Sequence, residues 1–216
     1  MENEFVLGSK KFRINNDGSS VTLIGCKRNY TGIVIIPNGV HNEGQTYRVT
    51  KIGEGAFEEC RGVTTVIIHN SVTEIANKAF MDCSGLSTLV IPDSVTEIGT
   101  LAFIGCRGLT AIGVASENTR YDSRNNCNAI IETETNRLIA GCKNTVIPDT
   151  VTMIDDFAFA GCRNLTSVVI PDSVTKIGGW AFAGCRNLTS VVIPDSVTWM
   201  GPCAFSDTPW EKNKGK

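Results

Sequence analysis

The dipeptide Ala-Phe recurs at Ala56-Phe57, Ala79-Phe80 and Ala102-Phe103, and again at Ala158-Phe159, Ala181-Phe182 and Ala204-Phe205. The step is 23 residues within each trio and 56 between them, one repeat plus 33. A fixed period of that length describes a stack of like units, each burying its apolar side against its neighbours, rather than one closed core. The clearest unit is LTSVVIPDSVTKIGGWAFAGCRN, from Leu165 to Asn187, followed by a near copy that starts at Leu188.

Within that unit the apolar columns are Leu165, Val168, Ile170, Val174, Ile177, Ala181, Phe182 and Cys185, and an earlier unit repeats them as Leu86, Leu89, Ile91, Val95, Ile98, Ala102, Phe103 and Cys106. Neither a helix nor a strand has that period, but a coil that turns once per repeat does. LTSVVI reads as a first extended strand, Pro-Asp-Ser as a corner, VTKIG as a second short strand, and GWAFAGC as a tight helical turn. Pro171 lacks the N–H that a strand ladder needs and so ends the first strand. Seven such coils, at the roughly 4.8 Å spacing of adjacent strands, make a rod about 30–35 Å long.

Departures from the unit mark the ends and one insertion. LGSKKFRINNDGSSVTLIGC alternates around Asn-Asp-Gly-Ser as a hairpin does, giving an N-terminal hairpin cap over residues 1–32. The first unit, with Ile36-Pro37 and Val49 to Gly53, carries nine extra residues. The solenoid is expected over 33–205, with an insertion at about 115–142 whose AII and RLIA segments, around Thr-Glu-Thr-Asn, read as a second hairpin. From 206 to 216 the chain turns polar, and Trp210 is placed to cover the last apolar layer.

The units IPDSVTEIGTLAFIGC, IPDSVTKIGGWAFAGC and IPDSVTWMGPCAF, with the inserted YDSRNNCNAIIETETNRLIAGCKNTVIP, resemble the BspA-like leucine-rich repeats of bacterial surface proteins over about Val21 to Trp210. The resemblance implies a right-handed leucine-rich repeat solenoid, extracellular or cell-surface placement, and adhesion to proteins of a host matrix or of neighbouring cells. The N-terminal MENEFVLGSKKF does not read as a secretory signal, and no stretch is apolar enough to anchor the chain in a membrane.

Charge and residue inventory narrow the function classes. With 20 basic against 22 acidic residues, the chain lacks the basic excess of a nucleic-acid or anionic-membrane binder. Only His41 and His69 could serve as histidine bases, one in the polar first-unit insertion and one in the proline column at a strand end, so no nucleophile-base pair suggests itself. The segment DSRNNCNAIIET has Arg124, Cys127 and Thr133 where a calcium loop needs an acidic residue, Gly and Glu, and is rejected as one. No cofactor or metal signature is present, and an enzyme or glycan-processing protein would have to build its site from the insertion. A structural spacer in a larger surface assembly is the third reading.

Five of the nine cysteines, Cys60, Cys83, Cys106, Cys162 and Cys185, fall in one column at one per coil. Parallel Cβ vectors suit neither disulfide closure nor a zinc site, so they read as buried thiols acting as small hydrophobes. Any disulfide would sooner involve Cys26, Cys127, Cys142 or Cys203. The sequons at Asn29, Asn164 and Asn187 read as coil corners bonding local backbone.

Candidate partner-binding residues follow from which positions point outward in the first strand: Thr65 and Ile67, Thr88 and Val90, Ser167 and Val169, Ser190 and Val192, with Ala111 and Gly113 between. They form a shallow face of hydroxyl and β-branched side chains, flanked by a basic rim (Lys143, Arg163, Arg186) and an acidic rim (Asp149, Asp172, Asp195). The insertion is expected to add anchors at Arg120, Tyr121 and Arg124, residue types that dominate binding hot spots. Trp180 and Trp199 stand in non-core columns and read equally as a contact patch or as shielding for the end of the stack. The partner expected is a protein of the host matrix or cell surface, or a glycan.

Overall fold

The structure, a computed structural model, describes residues 3–213. The 23-residue period reappears as hydrogen bonds between like positions of successive coils: Thr73 N–H donates to the Thr50 carbonyl, Thr96 N–H to Thr73, and Thr175 N–H to Thr152, each at 2.9 Å. Between them the second extended pieces form two-residue parallel strands, Glu74–Ile75 beside Glu97–Ile98, and Met153–Ile154 beside Lys176–Ile177. The first extended pieces pair in register as Thr65 with Thr88 and Ser167 with Ser190.

Strand alternation puts one side chain of each pair inside. Val66, Leu89, Ile91, Val168 and Ile170 are buried, whereas Ile67, Val90, Val169 and Val192 are exposed. The second strands bury Ile75, Ile154 and Ile177 against them.

The return of each coil is a set of i→i+3 turns, for example Met81 N–H to the Lys78 carbonyl and Cys83 N–H to Phe80, and not a regular helix. Two left-handed residues per turn prevent a helix from continuing: Lys78 and Asp82 in one coil, Leu101 and Gly105 in the next, Trp180 and Gly184 later. Tight turns were therefore legible from the sequence, but a helical one was not what these backbones adopt. Among the described residues the single α-helix, Pro209–Asn213, lies at the C-terminal end.

These turns stack the phenylalanines face to face. Ring centroids are 5.0 Å apart for Phe57 and Phe80, 5.7 Å for Phe80 and Phe103, 4.8 Å for Phe159 and Phe182, and 4.9 Å for Phe182 and Phe205. Trp210 closes the column against Phe205 at 4.6 Å. The column cysteines run alongside. Cys83 Sγ donates to the Phe57 carbonyl at 2.9 Å, Cys106 to Phe80 at 3.1 Å and Cys185 to Phe159 at 3.1 Å. Burial pushes the Cys83 and Cys185 thiols up to about 12 and those of Cys106 and Cys162 far above the ordinary range. All nine cysteines are free thiols.

At the N-terminus, Glu4–Leu7, Lys10–Ile14 and Ser20–Cys26 form an antiparallel meander whose last strand pairs in parallel with Gln45–Ile52, extending the second-strand sheet. The nine extra residues of the first unit are a hairpin, Gly39–Asn42 against Gln45–Ile52. The outermost residues of the expected cap and tail, 1–2 and 214–216, lie outside the described residues.

The insertion changes the stack more than a surface loop would. Tyr121–Asp122, Ala129–Glu132 and Arg137–Gly141 form an antiparallel meander, and its last strand continues in parallel onto Met153–Ile154. Both sheets break at this point. The first-strand sheet divides into four strands ending at Ala111–Val114 and a separate pair, Ser167–Val169 with Ser190–Val192. The second-strand sheet ends at Glu97–Ile98 and begins anew in the insertion. The turn column stays joined at one corner, where Gly105 N–H donates to the Ala160 carbonyl at 3.2 Å and the end of the third turn sits on the fourth. The buried residues form two clusters, one on each side of this seam.

Candidate functional site

The outward first-strand positions form a row of exposed aliphatic side chains. Ile67, Val90, Val169 and Val192 retain about half of their surface, at 44%, 51%, 66% and 54%. Beside them Thr88, Ser167 and Ser190 are exposed and Thr65 is half-buried. The row also extends one strand further than the repeat columns indicate. Ile33 and Ile35 in Thr31–Ile36 pair with Thr65 and Ile67 and are equally exposed. Val146, in the equivalent column after the insertion, is exposed as well. Gly113, however, interrupts the row, and the sheet break leaves its two halves on different sheets.

The insertion residues do not behave as surface anchors. Tyr121 is 5% exposed, and its hydroxyl accepts the Ile98 N–H at 3.1 Å. The reason is Asn118, itself buried. Its side-chain amide donates to the Pro92 and Val95 carbonyls, and its oxygen accepts the N–H groups of Arg120 and Tyr121. This turn ties the start of the insertion to the third coil and swings the Tyr121 ring inward. Arg124 is committed too: it forks onto Asp122 and donates to Asn136 at 2.7 Å and Thr150 at 3.2 Å. The expected anchors Arg120, Tyr121 and Arg124 are thus not a free surface cluster: the Tyr121 ring is buried and both arginines are held in ion pairs.

Arg120 belongs to a cleft that the repeat columns do not reveal. Where the sheets part, a cleft of about 460 Å³ opens between the third and fourth turns. Along it Arg120 pairs with Glu132 at 2.8 Å and with Glu134 at 3.0 Å, while Arg137 lies 3.5 Å from Glu132 and 3.6 Å from Asp155. Glu132 is buried and also accepts the Thr135 hydroxyl at 2.5 Å. Burial raises the Asp155 carboxyl, against the lowering influence of Arg137. Two arginines pair with three carboxylates along the row, which is the chemistry of a clamp holding the insertion onto the coils. Among the described residues no three His, Cys, Asp or Glu side chains gather as metal ligands would.

His69 is exposed at its strand-end corner, where its N–H reaches the Ile36 carbonyl and its own carbonyl accepts Val72 N–H. Asn164 donates to the Arg107 carbonyl at 3.1 Å, on the neighbouring coil across the seam, and not to the local backbone that its column suggests. Trp180 stacks on Phe157 with centroids 5.4 Å apart and planes 3° from parallel, and stays 42% exposed. Trp199 is exposed on the last short strand.

Parallel strand columns, corner residues and a stacked turn on a 23-residue period define a leucine-rich repeat solenoid, a class of proteins that generally works by binding other proteins. The profile of the BspA-type leucine-rich repeat region matches in six copies over residues 45–138 and 131–213, and the chain belongs to that family. Solved structures agree. A leucine-rich repeat protein from Bacteroides ovatus is 25% identical with a TM-score of 0.60, over 94% of this chain and 57% of that one. A leucine-rich cell surface protein from Faecalibacterium prausnitzii is 22% identical with a TM-score of 0.57, over 94% and 80%. A T. pallidum leucine-rich repeat protein is 19% identical with a TM-score of 0.54, over 96% and 90%. The chain spans a little over half of the Bacteroides protein. Comparison with curated proteins finds no significant match. Among the described residues, no helix is long and apolar enough to cross a membrane.

Proposed function

We propose that this chain is a non-enzymatic adhesion module of a bacterial surface or secreted protein, and that it binds a protein partner through the first-strand face. The observation that carries the reading is the row Ile35, Ile67 and Val90. These are three β-branched aliphatics on adjacent parallel strands, each about half exposed, with Thr65 and Thr88 between them. Aliphatic side chains held rigid in this way lose little conformational entropy when a partner covers them. Val169 and Val192, with Ser167 and Ser190, offer a second patch beyond the seam, so one partner can bridge both or two weak contacts can add.

Family membership supports surface display, and the ion pairs that commit the charged groups of the cleft to one another support a binding rather than a catalytic role. The test is a binding screen against host matrix and cell-surface proteins, comparing the native chain with I67E/V90E. Both substitutions point to solvent and leave the fold intact, so binding should fall at least tenfold while the melting curve stays unchanged. Equal affinity for a captured partner would remove this face as the site.

A further inference from the structure

A different surface runs along the turn column. There a groove of about 300 Å³ is lined by Arg107, Arg163 and Arg186, by Phe157 and Trp180, and by one carboxylate, Asp82, with glycine and alanine between them. In sequence Arg107 and Arg163 are separated by the whole insertion, yet the insertion leaves this corner of the turn column closed. Gly105 bonds Ala160 as Gly161 bonds Ala183, so the three arginines occupy successive coils.

Their charge is almost unmatched. Arg107 has Asp82 at 3.7 Å, beyond hydrogen-bond length, and among the described residues Arg163 and Arg186 have no carboxylate within ion-pair distance. Arg163 is held below the ordinary range by partial desolvation and by its neighbours Arg107 and Arg186. In a chain of net charge −2, three adjacent guanidinium groups repel one another and are relieved by an incoming anion.

We propose that this groove binds a linear anionic glycan, one carrying a sulfate or carboxylate on successive sugars. A row of arginines beside an exposed, braced aromatic ring favours that occupant. Arginine forks match sulfate and carboxylate oxygens in pairs. The Trp180 ring, braced flat on Phe157, gives the apolar face of a sugar a rigid surface.

The experiment measures binding of a heparin-derived octasaccharide, its desulfated N-acetylated counterpart and poly-L-glutamate to the full chain by calorimetry at low and physiological salt. The sulfated octasaccharide should bind, more weakly as salt rises, and the desulfated form at least tenfold less well. R163Q/R186Q should weaken it at least tenfold and W180A severalfold, whereas I67E/V90E should bind it like the native chain, which separates this site from the aliphatic face. On the native protein, the octasaccharide should protect Arg163 and Arg186 from phenylglyoxal modification, a readout that no folding defect can mimic. Absent binding at low salt, unprotected arginines, or an unchanged affinity in R163Q/R186Q would each overturn the proposal. So would poly-L-glutamate binding at least as tightly and without regard to Trp180, which would assign the groove to acidic protein segments.

Discussion

Gly141 lies flat against the ring of Phe159, so close that a Cβ at residue 141 would stand 2.1 Å from Cε1 and 2.4 Å from Cζ. Its N–H donates to the Ala158 carbonyl at 2.9 Å, as Phe80 N–H donates to Ala102 and Phe159 N–H to Ala181 in regular coils. Gly141 therefore occupies the phenylalanine position of a coil that has lost its turn, and only the absence of a side chain lets the inserted strand pass over the aromatic column. Phe103, which in a regular stack would be covered by the next ring, is left half-buried at the cleft. From this contact follows the first prediction: Gly141→Ala should destabilise the protein by about 1–3 kcal/mol or more, because the ring must move within a packed layer. Urea denaturation measures it, and adding Phe159→Leu should recover part of the loss.

Phe182 is fully buried between two parallel rings, and Phe182→Ala should cost about 3–5 kcal/mol. The loss should spread to the adjacent coils, since each is held mainly by its neighbours. Phe103→Ala, at the cleft, should cost less than half as much. Chemical denaturation that ranks the two in the opposite order would show that the seam, and not the middle of the C-terminal half, carries the tighter packing.

Cys26 sits half-buried at the edge of the first coil, where a hydrogen bond from Cys60 lowers its thiol to about 7, and Cys203 is exposed at the other end. Iodoacetamide at pH 7.5 should label these two first, with the Cys26 rate rising through a midpoint near 7 and flat above about 8. The column thiols Cys83, Cys106 and Cys185 are protonated at that pH and sealed in the stack, so they should react only after denaturation. Mass spectrometry of labelled peptides reads both outcomes.

Replacing Arg120, Tyr121 and Arg124 together by Ala should lower stability and leave partner affinity per folded molecule unchanged. Tyr121→Phe alone isolates the hydroxyl bond to Ile98 and should cost about 1 kcal/mol. Thermal melting paired with binding at a temperature where both proteins are folded distinguishes framework from recognition.

The repeat columns made most of the fold legible because a residue's neighbours above and below are its own homologues 23 positions away. Ile67, Val90, Val169 and Val192 could be assigned to the outside, and Phe182 to the inside, from that alone. The insertion's two strands were also visible, in AII and RLIA. What one column could not show is how the insertion joins the others. Counting coils along the chain separates Arg107 from Arg163, whereas the Gly105–Ala160 corner closes and makes them neighbours. Tyr121 looked like an anchor because its type and its Arg neighbours suit an interface. Its burial depends on Asn118 bonding the Pro92 and Val95 carbonyls, a long-range contact with no periodic trace. A signal was present in the Ala140-Gly141-Cys142 triplet, which keeps the alanine and cysteine of AFAGC while dropping the ring.

The seam interrupts two sheets but touches the regular coils only through its immediate neighbours. Duplicating or deleting a whole 23-residue unit that does not adjoin the seam would move the ends of the rod by about one strand spacing and leave the contacts of the insertion as they are. Reach and the framework of the insertion are thereby uncoupled. A lineage of such chains can change how far the module extends from whatever holds it, by unequal copying of near-identical units such as Leu165 to Asn187, without having to rebuild the place where the stack is irregular.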